Sequence, residues 1–147
     1  MPHSHSRRMP QKSLVAAIVA GLLAANPVAA TTRMVTVCAD TGTGGLRQAI
    51  AASASSDTVD MTALTCSKLT LTAGELPVAV GSLTIRGPGA GQLTIDAGSH
   101  SRVVRHAGTG ILGLSGLTLA HGFFTAIGNQ DGGCLFSNGS VSATDTV

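Results

Sequence analysis

The triplets Leu69-Thr70-Leu71, Leu93-Thr94-Ile95 and Leu117-Thr118-Leu119 begin at evenly spaced positions, and a degenerate fourth, Val141-Ser142-Ala143, keeps the spacing. Gly74, Gly98 and Gly122 recur at one fixed offset behind the leading leucines, where a residue tolerant of positive φ would end a short strand. A fainter column holds Ala79-Val80, Val103-Val104 and Ile127-Gly128. A third, looser in register, holds Leu83 with Ile85, Ile111 with Leu112, and Leu135 with Phe136. An apolar-Thr-apolar triplet has the period of a strand, with both aliphatic side chains on one face and the threonine on the other. Three short strands per repeat unit, separated by corners such as Gly87-Pro88-Gly89-Ala90-Gly91, do not form a hairpin meander in register with itself, but they do form a coil.

If each unit is one turn, equivalent triplets stack in parallel about 4.8 Å apart. The predicted fold is all-β: a right-handed parallel β-helix of about three and a half turns of 24 residues, with aliphatics in the lumen and Thr70, Thr94 and Thr118 stacked outside. An antiparallel β-sandwich with an accessory helix is the alternative, since short strands with turn signals suit it too. Composition favours the coil: a narrow lumen takes small side chains, and the chain has three Phe, no Trp and no Tyr. The first turn of a coil leaves an open hydrogen-bonding edge that needs covering. Residues 44–55 (GGLRQAIAASAS) are the candidate cap, a short helix with Leu46, Ala49, Ile50 and Ser53 on one face.

Residues 1–13 carry Arg7, Arg8 and Lys12 and no acid, and residues 14–25 (LVAAIVAGLLAA) are unbroken apolar. Asn26 and Pro27 break the run, and Val28, Ala29 and Ala30 follow as small residues. This is the order of a secretory signal peptide, with cleavage after Ala30. Twelve helical residues span about 18 Å, short of a bilayer core of about 30 Å, so a membrane span is not expected and the alternative is a buried core helix. Pro10 and Gln11 stand where a twin-arginine signal wants apolar residues, and Val37 precedes Cys38 where a lipid-anchor signal has a different pattern. The chain therefore divides into a signal peptide (1–30), an N-terminal strand and capping helix (31–64), and β-helix repeats (65–147) that stop partway through a turn. Localisation is read as exported, either extracellular or at the cell surface in association with an outer membrane, with the periplasm as a further compartment.

The net charge of +2 belongs to that signal: residues 1–30 hold three of nine basic residues and none of seven acids, leaving −1. Nucleic acid binding needs a clustered positive face and commonly stacking aromatics, and neither is present. In an oxidising compartment Cys38 and Cys66 would close a disulfide contributing about 3 to 4 kcal/mol. Two separately buried thiols are the alternative. Cys134 is left over, which in an exported chain suggests a partner elsewhere.

Gly45-Leu46-Arg47-Gln48-Ala49-Ile50, then Asp57-Thr58-Val59-Asp60, Leu64-Thr65-Cys66-Ser67 and Leu69-Thr70-Leu71, together resemble the N-terminal segment of secreted bacterial parallel β-helix proteins. Among these are proteins with a CSLREA segment, whose Leu-Arg-Glu-Ala-Ile core is matched except at Gln48. Gly132-Gly133-Cys134-Leu135-Phe136-Ser137-Asn138-Gly139-Ser140-Val141 is similar to the repeats of polymorphic outer-membrane and autotransporter passenger domains. The resemblance spans roughly residues 35–147. It implies a longer column with a surface anchor or barrel, so the sequence reads as a fragment whose C-terminal edge pairs with further turns, with a truncated gene product as the alternative.

Proteins of this fold that cleave acidic polysaccharides use an Arg base and clustered carboxylates that hold calcium. Arg86, Arg102 and Arg105 lie in the coil, but Asp57 and Asp60 are the only close acidic pair, and they are read as shaping the turn after the cap. His100, Arg102, Arg105 and His106 are read as a solvated corner, because His pairs without carboxylate or Cys partners rarely bind metal. His121 replaces Ala73 and Ala97 of the repeat and is read as loop-facing. Asn138-Gly139-Ser140 matches a glycosylation sequon and equally a turn. No catalytic residue, cofactor or metal is assigned. The expected function is a non-catalytic secreted or surface β-helix, structural or adhesive, with a surface or polysaccharide ligand. The alternative is a polysaccharide-active lyase or glycosidase.

Overall fold

The computed structural model describes residues 29–125 and 132–147. The signal-peptide reading of residues 1–28 and the Ile127-Gly128 pair lie outside the described residues. The elements are β1 (Thr32–Met34), α1 (Leu46–Ala51), β2 (Asp57–Asp60), β3 (Lys68–Thr70), β4 (Leu76–Val78), β5 (Leu83–Arg86), β6 (Thr94–Asp96), β7 (Val104–His106), β8 (Ile111–Ala120), β9 (Leu135–Ser137) and β10 (Ser140–Thr146). Every strand pairing is parallel. Wall A stacks β1, β2, β5, β8 and β10; wall B stacks β3, β6 and the second half of β8; wall C stacks β4, β7 and β9. The chain is a parallel β-helix of about four turns.

The lumen is aliphatic. Val59, Ile85 and Leu114 form one inward column of wall A, Leu83 and Leu112 another, Leu69 and Ile95 line wall B, and Leu76, Val78 and Val104 line wall C, all buried. Among the described residues no phenylalanine ring enters it, Phe123 and Phe124 being exposed and Phe136 half-buried, while the imidazole of His106 is buried in register with Val78 on wall C.

The repeat is real, but its rungs differ in length. Thr94 lies opposite Thr118, as the recurrence of the triplets requires, whereas Lys68 lies opposite Thr94, so Leu69 meets Ile95 rather than Leu93. Leu76 pairs with Val104, Leu83 with Leu112 and Val104 with Leu135, each a longer rung than the triplets suggest. A slip of two residues, as where Leu69 meets Ile95, keeps every aliphatic facing inward, so the pattern alone does not distinguish that register, and the odd offsets of Leu83 on Leu112 and Val104 on Leu135 are taken up in the corners. The outer threonine stack is corrected accordingly: Thr94 and Thr118 are neighbours, but Thr70 lies beside Asp96. Val141 and Ala143 belong to wall A, opposite Leu112 and Leu114, not to the Leu117 column. Ala79-Val80 follows β4 and does not stack on Val103-Val104, and Leu135 is in wall C, apart from Leu83.

Gly74 and Gly98 have positive φ as expected, but in the third unit the positive φ of 50° falls on His121. Gly122 is needed for another reason, since a Cβ there would run into the backbone of Gly133 and Cys134. The helix is shorter than residues 44–55. It ends at Ala51 because Ser53 Oγ donates to Ala49 O, the Asp57 carboxylate takes the Ala54 N–H, and Ser56 turns at φ 74° into β2. Leu46, Ala49 and Ile50 are buried, and α1 packs on β2 and β4, the uppermost strand of wall C. β1 and β2 are already rungs of wall A, so the coil is under way before residue 65.

Ile95→Ala should cost about 2 to 5 kcal/mol in urea unfolding. Gly87→Ala should be strongly destabilising, because its Cβ would strike Gly116 O where two corners stack, whereas Gly91→Ala, which points into open space, should stay within about 0.5 kcal/mol of the parent.

Candidate functional site

Each buried polar side chain joins one turn to another. Asp40 is the most heavily engaged. It receives a two-pronged ion pair from Arg47 (Nε to Oδ1 2.9 Å, Nη2 to Oδ2 3.1 Å) and the N–H groups of Thr72 and Ala73 at 2.9 and 3.0 Å. Arg47 also donates to Glu75 O at 2.7 Å and Gly74 O at 2.6 Å. Arg47 thus clamps the cap helix to the turn between walls B and C.

Asp57 accepts the Thr31 N–H at 2.8 Å, the Ala54 N–H at 2.9 Å and Arg33 Nε at 3.2 Å. Register puts Arg33 and Asp57 at inward positions, above Val59 and Leu83. The upper lumen is therefore closed by a charged pair. Asp60 accepts from the Thr62 N–H and hydroxyl and lies beside the exposed Arg86. Asp57 and Asp60 do shape local turns.

On wall B, Asp96 bridges three turns: Lys68 Nζ at 3.7 Å, the Gly98 N–H at 2.8 Å and His121 Nδ1 at 3.0 Å. His121 is exposed, as its loop-facing reading requires, but its ring is tied to Asp96. On the corner before wall C, Glu75 lies 3.7 Å from Arg102 and 3.9 Å from Arg105.

The solvated-corner reading is corrected for two of its four residues. Arg102 and His106 are buried, while His100 and Arg105 are exposed. The Arg102 guanidinium lies 3.3 Å from the Phe124 ring centroid and 5.0 Å from that of Phe136, and Nε donates to Gly132 O. His106 Nε2 donates toward the carbonyls of Val80 and Gly81, both at 3.1 Å, and Nδ1 lies 2.7 Å from Ser137 Oγ. One imidazole so links three successive turns. The turn reading of Asn138-Gly139 holds between β9 and β10, where Asn138 Nδ2 donates to Ala107 O.

Cys38 and Cys66 form a disulfide, with Cα atoms 6.2 Å apart, that ties the segment before α1 to the loop before β3. Cys134 is a half-buried free thiol with Sγ 3.9 Å from Leu119 O. Among the described residues no group of three or more His, Cys, Asp or Glu converges, and no helix is long and apolar enough to cross a membrane. A cleft of about 310 Å³ between β1 and α1 is lined by Arg33 and Gln48, both already engaged, by Asp57 and the Gly44 N–H respectively.

The outer face of wall A is the most regular polar surface. Thr32, Thr58 and Thr84 stand on successive rungs, followed by Gly113 and Ser142; the neighbouring column runs Met34, Asp60, Arg86, Ser115 and Thr144. Sequence reading missed this threonine ladder because its members recur at an interval longer than that of the triplets, although Asp57-Thr58-Val59 and Leu83-Thr84-Ile85 carry the alternation. No protein-family model, curated protein or solved structure matches the chain.

The carboxyls of Asp57 and Asp96 are held below the ordinary value, chiefly by backbone N–H groups, of Ala54 for Asp57 and Gly98 for Asp96, with Arg33 and His121 adding to it. The Thr62 hydroxyl does the same for Asp60. Burial pushes Asp40 up, but Arg47 and the N–H groups of Thr72 and Ala73 together outweigh it, so it too is lowered. A carboxyl with a depressed folded-state pKa adds stability above its unfolded value and loses it as pH falls through the folded one. Unfolding free energy should accordingly hold steady above about pH 5 and decline below about pH 4, and Asp40→Asn should flatten the acid limb. Arg47→Ala leaves Asp40 without its cation and should cost about 2 to 4 kcal/mol. Cys38→Ser with Cys66→Ser should cost about 3 kcal/mol, read by denaturant titration.

Proposed function

We propose that the chain is exported, processed after Ala30, and works outside the inner membrane as a non-catalytic β-helix, secreted or held at the cell surface, that engages an extended surface or polysaccharide ligand through the outer face of wall A. One contrast carries the reading. The buried polar side chains Asp40, Asp57, Asp96, Arg102 and His106 are spent on joining turns, and no buried side-chain nitrogen or oxygen among the described residues lacks a partner. Wall A meanwhile offers an ordered row of hydroxyls about 4.8 Å apart along the column axis. A flat, regularly spaced row of donors and acceptors suits a ligand that itself repeats, and function must be argued from such a surface, not from the fold. The basic, apolar, small-residue order of residues 1–30 supports export, and the Cys38–Cys66 disulfide suits an oxidising compartment.

N-terminal sequencing of protein recovered from the periplasm or medium should begin at Thr31; an intact N-terminus retained in the cytoplasm would overturn the export reading. Retention on insoluble cellulose, chitin or peptidoglycan should identify a ligand. Thr58→Val with Thr84→Val should then weaken binding at least tenfold while the melting temperature is unchanged. Release of soluble sugar fragments from any of these polymers would show an enzyme instead.

A further inference from the structure

Thr31 is where the chain joins the ladder of wall A. Its C=O accepts the Thr58 N–H at 2.9 Å, and β1 follows in register with β2. Its own nitrogen leaves the ladder and donates to Asp57 Oδ1 at 2.8 Å. Asp57 Oδ2 meanwhile holds the Ala54 N–H at 2.9 Å and Arg33 Nε at 3.2 Å. The Asp57 side chain is only 1% exposed, whereas Ala29, Ala30 and Thr31 are exposed. Water can satisfy an exposed peptide N–H, so a buried carboxylate aimed at this nitrogen is a stronger acceptor than a peptide N–H calls for. A second, independent observation falls on the same residue. The basic, apolar, small-residue order of the first thirty residues marks Thr31 as the first residue after cleavage.

We infer that Asp57 is a binding site for the α-ammonium group of the processed chain, which joins Arg33 on the carboxylate and completes the closure of the upper lumen. The inference rests on the reading that the chain is cut after Ala30. Hydrolysis of that bond by an endopeptidase consumes one water. Its oxygen goes to the Ala30 acyl carbon, which leaves as a carboxylate, and its two protons go to the Thr31 nitrogen, which becomes an ammonium. The Thr31 C=O stays bonded to Thr58, so the new terminus is already held against Oδ1 when it forms. One of its three N–H bonds points at the carboxylate and the others are left for solvent. The charged groups facing it are Asp57 of β2 and Arg33 of β1, while residues 52–56 bring the Ala54 N–H and no charge. Cutting thus turns a neutral hydrogen bond into an ion pair at the first rung, and the column is tightened only after its export signal has gone.

The test places an enteropeptidase recognition sequence in the full chain, directly before Thr31 or directly before Ala29, so that cutting in vitro does not depend on where a cell cuts. The two products differ by two alanines and by whether the ammonium lies on Asp57. At neutral pH the chain beginning at Thr31 should unfold in urea at least about fivefold more slowly than the chain beginning at Ala29. An amine whose proton is held more tightly in the folded state adds stability below its unfolded pKa and loses it as pH rises through the folded one. The gap should therefore close between about pH 8 and pH 10, since every other group titrates alike in both chains. Asp57→Asn should make the two chains equal at every pH; if that variant does not fold, the closure of the gap with pH decides. Equal unfolding of the two chains at neutral pH, or a gap that persists undiminished at high pH, would overturn the inference. Exported protein that starts at a residue other than Thr31, with the gap in vitro intact, would leave the ammonium site standing and overturn the cleavage position instead.

Discussion

In a parallel column each rung satisfies its backbone groups only through the rung above and the rung below, and each inward side chain is buried only by its neighbours in those rungs. The rest of the structure depends on this vertical dependence. A turn is not stable alone, so both the N–H and C=O ladder and the lumen must be terminated somewhere. The upper terminus shows how that is done. Residues 38–51 leave the coil, lay Leu46, Ala49 and Ile50 of a six-residue helix over the aliphatic lumen, and are held down by the Cys38–Cys66 disulfide and the Arg47–Asp40 clamp. A helix of that length has little stability of its own. It is helical here because Arg47 and Asp40 reach the turn at residues 72–75 and fix it there.

The polar side chains follow the same logic along the column. Asp40 with Arg47, Asp57 with Arg33, Asp96 with Lys68 and His121, and His106 with Ser137 each cross from one turn to another. Except for Arg33, in the middle of β1, they sit at strand ends or in the corners beside them, where strand pairing begins or lapses. Corners are also where turn length varies, so these contacts hold segments whose register the strands do not dictate. This use of charge leaves the flat walls, and wall A above all, as the surfaces with free hydrogen-bonding groups.

The even recurrence of the triplets made the coil and its aliphatic lumen, free of phenylalanine, legible in the sequence. Leu69, Leu71, Leu93, Ile95 and Leu117 are all buried as the alternation requires. The threonine ladder was not legible, because its rungs are longer than the triplet interval, and neither was the burial of Arg102 and His106. An arginine and a histidine in a glycine-rich stretch look solvated. They are buried because distant chain segments supply carbonyls, a hydroxyl and two phenylalanine rings to receive them.

The sequence by itself determined which side chains face inward, because a strand alternates with period two whatever lies beside it. It also determined that the strands are short and bounded by glycine corners, and so that they stack as a coil. Which rung each strand meets was decided only in the tertiary structure. Slips of two residues preserve every inward face, and the choice among them falls to corner length, to close glycine contacts such as Gly87 on Gly116, and to the ions that bridge one turn to another. Wall A's threonine row is a product of that choice.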